Sequence, residues 1–127
     1  MIRAAHFVLY VRDQARSRDF YAAVLGRAPT LDVPGMTELA LDDTAILGLM
    51  PETGIVRLLG QDVDPAKLRG VGRAELYLVV DDPAAFHSRA LAAGARELSP
   101  LLDRAWGHRA AYSLDPDGHV LAVACRL

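Results

Sequence analysis

His6 and Glu75 stand near the starts of two similar segments, and an imidazole and a carboxylate are the side chains best suited to moving a proton or holding a divalent ion. Aligning His6 with Glu75 also aligns Ala5 with Ala74, Leu9 with Leu78, Val11 with Val80, Asp13 with Asp82, Ala15 with Ala84 and Ala23 with Ala92. A fixed internal period of this kind marks a repeated supersecondary unit. Groups that differ between two copies of one unit would face each other across whatever cleft the pair encloses, so His6 and Glu75 are the candidate catalytic pair. Tyr10, Tyr77 and Tyr112 add ring area with a hydroxyl, and Trp106 adds an indole in a stretch without helix or strand pattern. Such side chains hold flat or amphipathic small molecules. Each has a plainer reading too: a histidine that satisfies a carbonyl, tyrosines that pack a sheet, a tryptophan that fills a dimer interface.

The elements that must position these groups are written in the same two copies. Residues 6–11 are rich in β-branched and aromatic side chains, which favours a strand. Asp13 is a helix N-cap, an apolar stripe through Ala15, Phe20, Ala23 and Val24 predicts a helix over residues 14–25, and Gly26 ends it. Three short strands follow near residues 30–33, 37–41 and 45–49, with turns at Pro34-Gly35 and Asp42-Asp43. In the second copy a strand over 75–80 precedes the cap Asp82, Pro83 at the first helical position, a helix over 84–93 and Gly94. Strands near 97–99, 110–114 and 119–125 complete it, the last entered through the turn Asp115-Pro116-Asp117-Gly118. Alternation puts Phe7, Leu9 and Val11, and likewise Leu76, Leu78 and Val80, under the helices, and turns His6, Val8, Tyr10, Glu75, Tyr77 and Val79 the other way. Residues 1–127 thus read as one domain of two modules, about 1–50 and about 73–127. A linker over about 51–72 carries one helical turn near Pro65–Leu68.

A net charge of −2, with arginines spread along the chain, excludes a nucleic-acid-binding stripe. The apolar run at the N-terminus is too short for a membrane span or a signal core. The single cysteine, Cys125, cannot form an intrachain disulfide, and by parity it points to the helix side, away from catalysis. The expected location is the cytoplasm. No phosphate-cradling glycine loop and no Cys-x-x-Cys occurs. His119 belongs to the edge of its turn, and His87, in mid-helix, is expected to face solvent.

HFVLYVRDQARSRDFYAAVLG at residues 6–26 and AWGHRAAYSLDPDGHVLAVA at residues 105–124 resemble the vicinal oxygen chelate superfamily, which includes glyoxalase I, bleomycin-resistance proteins and extradiol dioxygenases. The resemblance implies an α+β fold of two tandem βαβββ modules whose curled mixed sheet surrounds a cup, and a homodimer. In metal-dependent members four ligands come from the first and fourth strands of the two modules. Carried over, those positions fall on His6, Gly48, Glu75 and Ala122. Gly48 and Ala122 offer no donor, whereas a catalytic divalent ion ordinarily keeps about three protein ligands.

What the resemblance implies is therefore a small organic molecule bound in a cup lined by His6, Tyr10, Gly48, Glu75, Tyr77, Trp106 and Ala122, as in the bleomycin-resistance type. No cofactor and no obligatory metal is expected. The enzymatic alternative is a lyase or dioxygenase of the glyoxalase type in which His6 and Glu75 hold a divalent ion. A third reading is an interaction domain whose cup is filled by side chains.

Overall fold

The structure is a computed structural model that describes residues 1–67 and 74–127. Strand β1 (Ala5–Val11) leads into helix α1 (Gln14–Leu25), then strands β2 (Leu31–Val33), β3 (Met36–Ala40) and β4 (Ala45–Pro51). After helix α2 (Glu52–Leu59) and two 3-10 turns, Gln61–Val63 and Pro65–Lys67, come β5 (Glu75–Val79), α3 (Pro83–Ala92), β6 (Arg96–Asp103), β7 (His108–Leu114) and β8 (Val120–Arg126). Each copy of the repeat is thus strand, helix and three strands, and the fold is α+β with two βαβββ-like modules. The contacts divide the chain into two compact units, Met1–Gly70 and Val71–Leu127. The end of the expected helical turn at Leu68, linker residues 69–72 and the first residue of the second copy, Arg73, lie outside the described residues.

The two sheets have the same order, β1-β4-β3-β2 and β5-β8-β7-β6. In each, the first strand pairs in parallel with the fourth, and the other neighbours are antiparallel. The caps are repeated as well: Asp13 accepts from the Arg16 amide and Asp82 from the Ala85 amide, both at 3.0 Å. Gly26 closes α1 in the left-handed conformation, φ 65°.

One face of the first sheet is dry. Val11, Leu39, Leu47 and Leu49 are fully buried on it, together with Phe20, Tyr21 and Val24 of α1. Burying a side chain of this size contributes about 1.5–3 kcal/mol. Of the expected stripe on α1, Phe20 and Val24 are buried, whereas Ala15 and Ala23 are exposed and Ser17 and Tyr21 take their place. This shift of the buried face brings in a tyrosine in place of two methyl groups and sets its ring edge-on to Phe20, with centroids 4.9 Å apart. The face assignment of the first strands is incomplete at one point. Phe7 is 53% exposed, because β1 is an edge strand.

Two further expectations change. Residues 52–59, expected in the linker, form α2; Gly54 and the preceding Pro51 hide a helix that buries Ile55. His87 is buried, and its Nε2 lies 2.8 Å from Glu97 Oε2. The face of α3 that carries Pro83, His87 and Ala90 packs inward, so the short helix turns a polar group into its own sheet and β6 supplies the partner. Among the described residues, no helix is long and apolar enough to cross a membrane.

Candidate functional site

The chemistry-bearing side chains lie on the sheet faces turned away from the helices. In the first unit the register sets Val8 opposite Gly48 and Gly48 opposite Glu38, so these three form one row across β1, β4 and β3. His6, opposite Ile46, lies two residues before Val8 on the same face, and Tyr10, opposite Met50, two residues after. His6 Nδ1 is 3.0 Å from Glu38 Oε2. The carboxylate that His6 meets is therefore in its own unit, one strand beyond Gly48. An imidazole whose Nδ1–H donates to a carboxylate presents Nε2 as its second functional nitrogen. Around this pair the face is aliphatic and half open: Val8, Leu31 and Val33 are 40%, 38% and 45% exposed.

In the second unit the equivalent row is Tyr77, Ala122 and Tyr112, with Ser99 continuing it on β6. Ala110, Ala122 and Ala124 are fully buried, and these three methyl groups form a floor low enough for large rings to lie over. The Tyr77 hydroxyl accepts from Trp106 Nε1 at 3.0 Å and sits 2.6 Å from His108 Nδ1. An indole N–H can only donate, so the tyrosine proton is available to His108, which then carries its own hydrogen on Nε2. The Tyr77 and His108 rings are stacked with centroids 5.7 Å apart. Glu75, exposed, starts β5 on this same face. Burial pushes the Tyr112 hydroxyl above the usual phenol range; Glu75 and Tyr77 add to the shift and Arg104 opposes it.

The β6–β7 hairpin explains how Trp106 reaches Tyr77. Arg104 N donates to His108 O and Gly107 N to Arg104 O, and Gly107 takes φ 84°, which suits glycine. The indole therefore sits at a tight tip and folds back over the sheet. Behind it the β6 register slips between Ser99 and Leu102, leaving carbonyls of the bulge outside the ladder. The Arg104 guanidinium fills that gap: Nη2 donates to Ser99 Oγ at 2.6 Å, Pro100 O at 3.2 Å and Ala110 O at 2.8 Å, and Nε to Ala110 O at 3.2 Å.

Of the residues expected from sequence, Tyr77 and Trp106 are in direct contact and Ala122 lies in the Tyr77 row, while His6, Tyr10 and Gly48 share the corresponding face of the first unit. Glu38, His108 and Arg104 were not singled out as site residues. Alternation along β3 and β7 places Glu38 with Met36 and Ala40, and His108 with Tyr112, so strand parity could have found those two. Arg104 depends on the bulge, which has no counterpart in spacing. A surface depression of about 440 Å³ lined by Arg27 and residues 40–44 contains none of these groups.

The four positions that the resemblance assigns to a divalent ion carry two donors, His6 and Glu75. At Gly48 an added Cβ would lie 3.2 Å from Val8 Cγ2 and 3.4 Å from Met36 Sδ, so that corner is already filled by apolar side chains. Ala122 contributes a buried methyl. Among the described residues, no group of three or more His, Cys, Asp or Glu is placed to hold a metal ion. Two donors at four corners do not fit a four-cornered divalent site.

Comparison with known proteins gives one consistent picture. The model of the Glyoxalase/Bleomycin resistance protein/Dioxygenase superfamily matches residues 3–123. An uncharacterized protein of Mycobacterium bovis is 33% identical over 125 residues, covering 87% of this chain and 75% of that one. An uncharacterized protein of Mycobacterium tuberculosis has the same identity, the match covering 87% of this chain and 67% of that one. Among solved structures, a glyoxalase-related enzyme from Fulvimarina pelagi has TM-score 0.84 at 24% identity, covering 99% of this chain and 89% of the other. A glyoxalase/bleomycin resistance protein/dioxygenase family enzyme from Burkholderia phytofirmans PsJN has TM-score 0.79 at 19% identity, covering 96% and 97%. At these identities the two structures establish the shared fold.

Proposed function

The chain belongs to the Glyoxalase/Bleomycin resistance protein/Dioxygenase superfamily, and from that premise we propose that it binds a small organic molecule without an obligatory metal. The observation that carries this reading is the pair of corners at Gly48 and Ala122, where a methyl or no side chain stands at the ligand positions and Val8 and Met36 occupy the space. Each corner has surface for an organic ligand in its own unit: His6, Tyr10 and half-exposed aliphatic side chains share the face of Gly48, and Glu75 and Tyr77, with Trp106 on Tyr77, share the face of Ala122. The contact residues of this reading are His6 and Tyr10 beside Gly48 in the first unit, and Glu75, Tyr77 and Trp106 beside Ala122 in the second. A homodimer goes with this reading, supported by the family resemblance and checked by light scattering on the purified chain; a cytoplasmic location goes with it through the single cysteine, Cys125.

Dialysis against Ni²⁺, Zn²⁺, Mn²⁺ or Fe²⁺ followed by elemental analysis leaves well below one equivalent of metal. Stoichiometric metal that disappears in a His6→Ala, Glu75→Ala double variant would overturn the reading. A panel of small organic molecules scanned by thermal shift finds compounds whose stabilisation grows with the logarithm of concentration, about 2.7 kcal/mol at a hundredfold excess over Kd.

A further inference from the structure

Arg104 is held by neutral oxygens alone. Its Nε and Nη2 are committed to Ser99 Oγ and the carbonyls of Pro100 and Ala110, and its guanidinium carbon lies 5.1 Å from the centre of the Tyr112 ring. No carboxylate pairs with it among the described residues, and Nη1 makes no hydrogen bond there. Other arginines differ: Arg18 is paired with Asp19 and Asp32, and Arg109 with Asp103. A guanidinium fixed on two nitrogens and stacked on an aromatic ring has little rotamer freedom left to lose, and its remaining N–H groups form a preorganised donor edge for an anion. Beside it stand aromatic groups fixed in the same way. Trp106 is tied to Tyr77 and Tyr77 to His108, so the rings lose little entropy when a flat molecule stacks on them. Glu75 is the opposing charge on this face; its field reaches Tyr112, but it makes no ion pair with Arg104.

Building on the reading that the chain binds a small organic molecule, we infer that the helix-free face of the second sheet takes a planar carboxylic acid as its carboxylate, with Arg104 as the anion anchor and Tyr77, Trp106 and His108 as the aromatic wall. The bulge that holds Arg104 thereby also sets ligand charge. A neutral isostere keeps the stacking and loses the ion pair, so the site discriminates by charge at constant shape.

The test uses the full chain, titrated with benzoate and with benzamide and followed by the emission of Trp106, the sole tryptophan. Benzoate binds at least about tenfold more tightly than benzamide, since a charge-assisted pair replaces a neutral contact. Added sodium chloride weakens benzoate binding and leaves benzamide binding unchanged. Arg104→Gln, checked for folding by circular dichroism, abolishes the preference. Equal affinity for the two probes on the unaltered protein overturns the inference whether or not the variant folds, as does a folded Arg104→Gln that still prefers the acid. Silence toward both probes, when other molecules of the thermal-shift panel bind, overturns this inference and leaves the binding role standing. Silence across the whole panel removes both.

Discussion

The two units share order, register and caps, yet their helix-free faces have opposite chemistry. The row Val8, Gly48, Glu38 in the first unit corresponds to Tyr77, Ala122, Tyr112 in the second. One row is aliphatic, with a carboxylate turned to His6; the other is aromatic, with a hydroxyl shared between an indole and an imidazole. Architecture is set by the dry face, where Leu47 and Leu121 occupy matching positions and are both buried. The opposite face is left free to differ, which is how one supersecondary unit written twice offers two kinds of surface.

The comparison can be broken most severely at the matched corners. Ala122→Glu places a carboxylate on a fully buried floor and is expected to cost about 3–5 kcal/mol, read from urea unfolding. At Gly48 the nearest atoms an added Cβ would meet are side-chain atoms, Val8 Cγ2 and the flexible Met36 thioether, so the expected cost of Gly48→Glu is smaller, about 1–3 kcal/mol. A Gly48→Glu cost equal to that of Ala122→Glu would show the first corner to be as closed as the second.

Buried hydroxyls give the next contrast. Thr37 Oγ1 is fully buried, donates to Asp32 Oδ1 at 2.8 Å and accepts from Gln14 Nε2 at 2.9 Å, whereas Ser113 Oγ has no hydrogen-bond partner among the described residues. Thr37→Val should therefore lose about 1–3 kcal/mol, while Ser113→Ala stays within about 0.5 kcal/mol of the parent or gains, both by the same unfolding assay.

At the sites themselves, Tyr77→Phe removes two hydrogen bonds, costs about 0.5–1.5 kcal/mol and shifts Trp106 emission to the red as the indole loses its acceptor. Glu38→Gln, which weakens a half-buried pair, costs about 0.2–1 kcal/mol. A larger loss for Glu38→Gln than for Tyr77→Phe would reverse the ranking of the two networks.

The smallest effects are electrostatic. The bonds from buried Thr37 and from Arg18 hold the Asp32 carboxyl below the usual carboxylate range, and Arg109 does the same for Asp103. A carboxyl held low in the folded state stabilises above its unfolded pKa, and that contribution is lost as pH falls through the folded value. Below about pH 4, Asp32→Asn and Asp103→Asn should each flatten the acid limb of the Tm profile. The change is expected to be greater for Asp32, whose first partner is buried.

Much of the scaffold was legible because it rests on short-range signals. Asp13, Asp82, Gly26 and the Asp115–Gly118 turn act within a few residues of themselves, and the strands alternate in a pattern that spacing reveals. The burial of His87 was not legible: whether a mid-helix histidine faces in or out depends on a partner, Glu97, that only packing supplies. α2 was hidden by Pro51 and Gly54, whose average preferences oppose the helix that Ile55 stabilises. Within the sites, Tyr77 and Trp106 could be selected by residue type, and Gly48 and Ala122 by resemblance. The partner of His6 could not, because Glu38 reaches it across Gly48 only in one register. Arg104 was the least accessible, since its position depends on a register slip in β6.

The strand that completes each sheet is an inner one. β4 lies between β1 and β3, and β8 between β5 and β7, with Ala5 waiting for Ala45 and Glu75 for Val120. During synthesis each first strand therefore emerges with its hydrogen-bonding edge open and keeps it open until the last strand of its unit leaves the ribosome, the interval in which a nascent sheet is most exposed to pairing with the wrong chain. The duplication limits that exposure by dividing it into two short waits, the first of them over before the second begins.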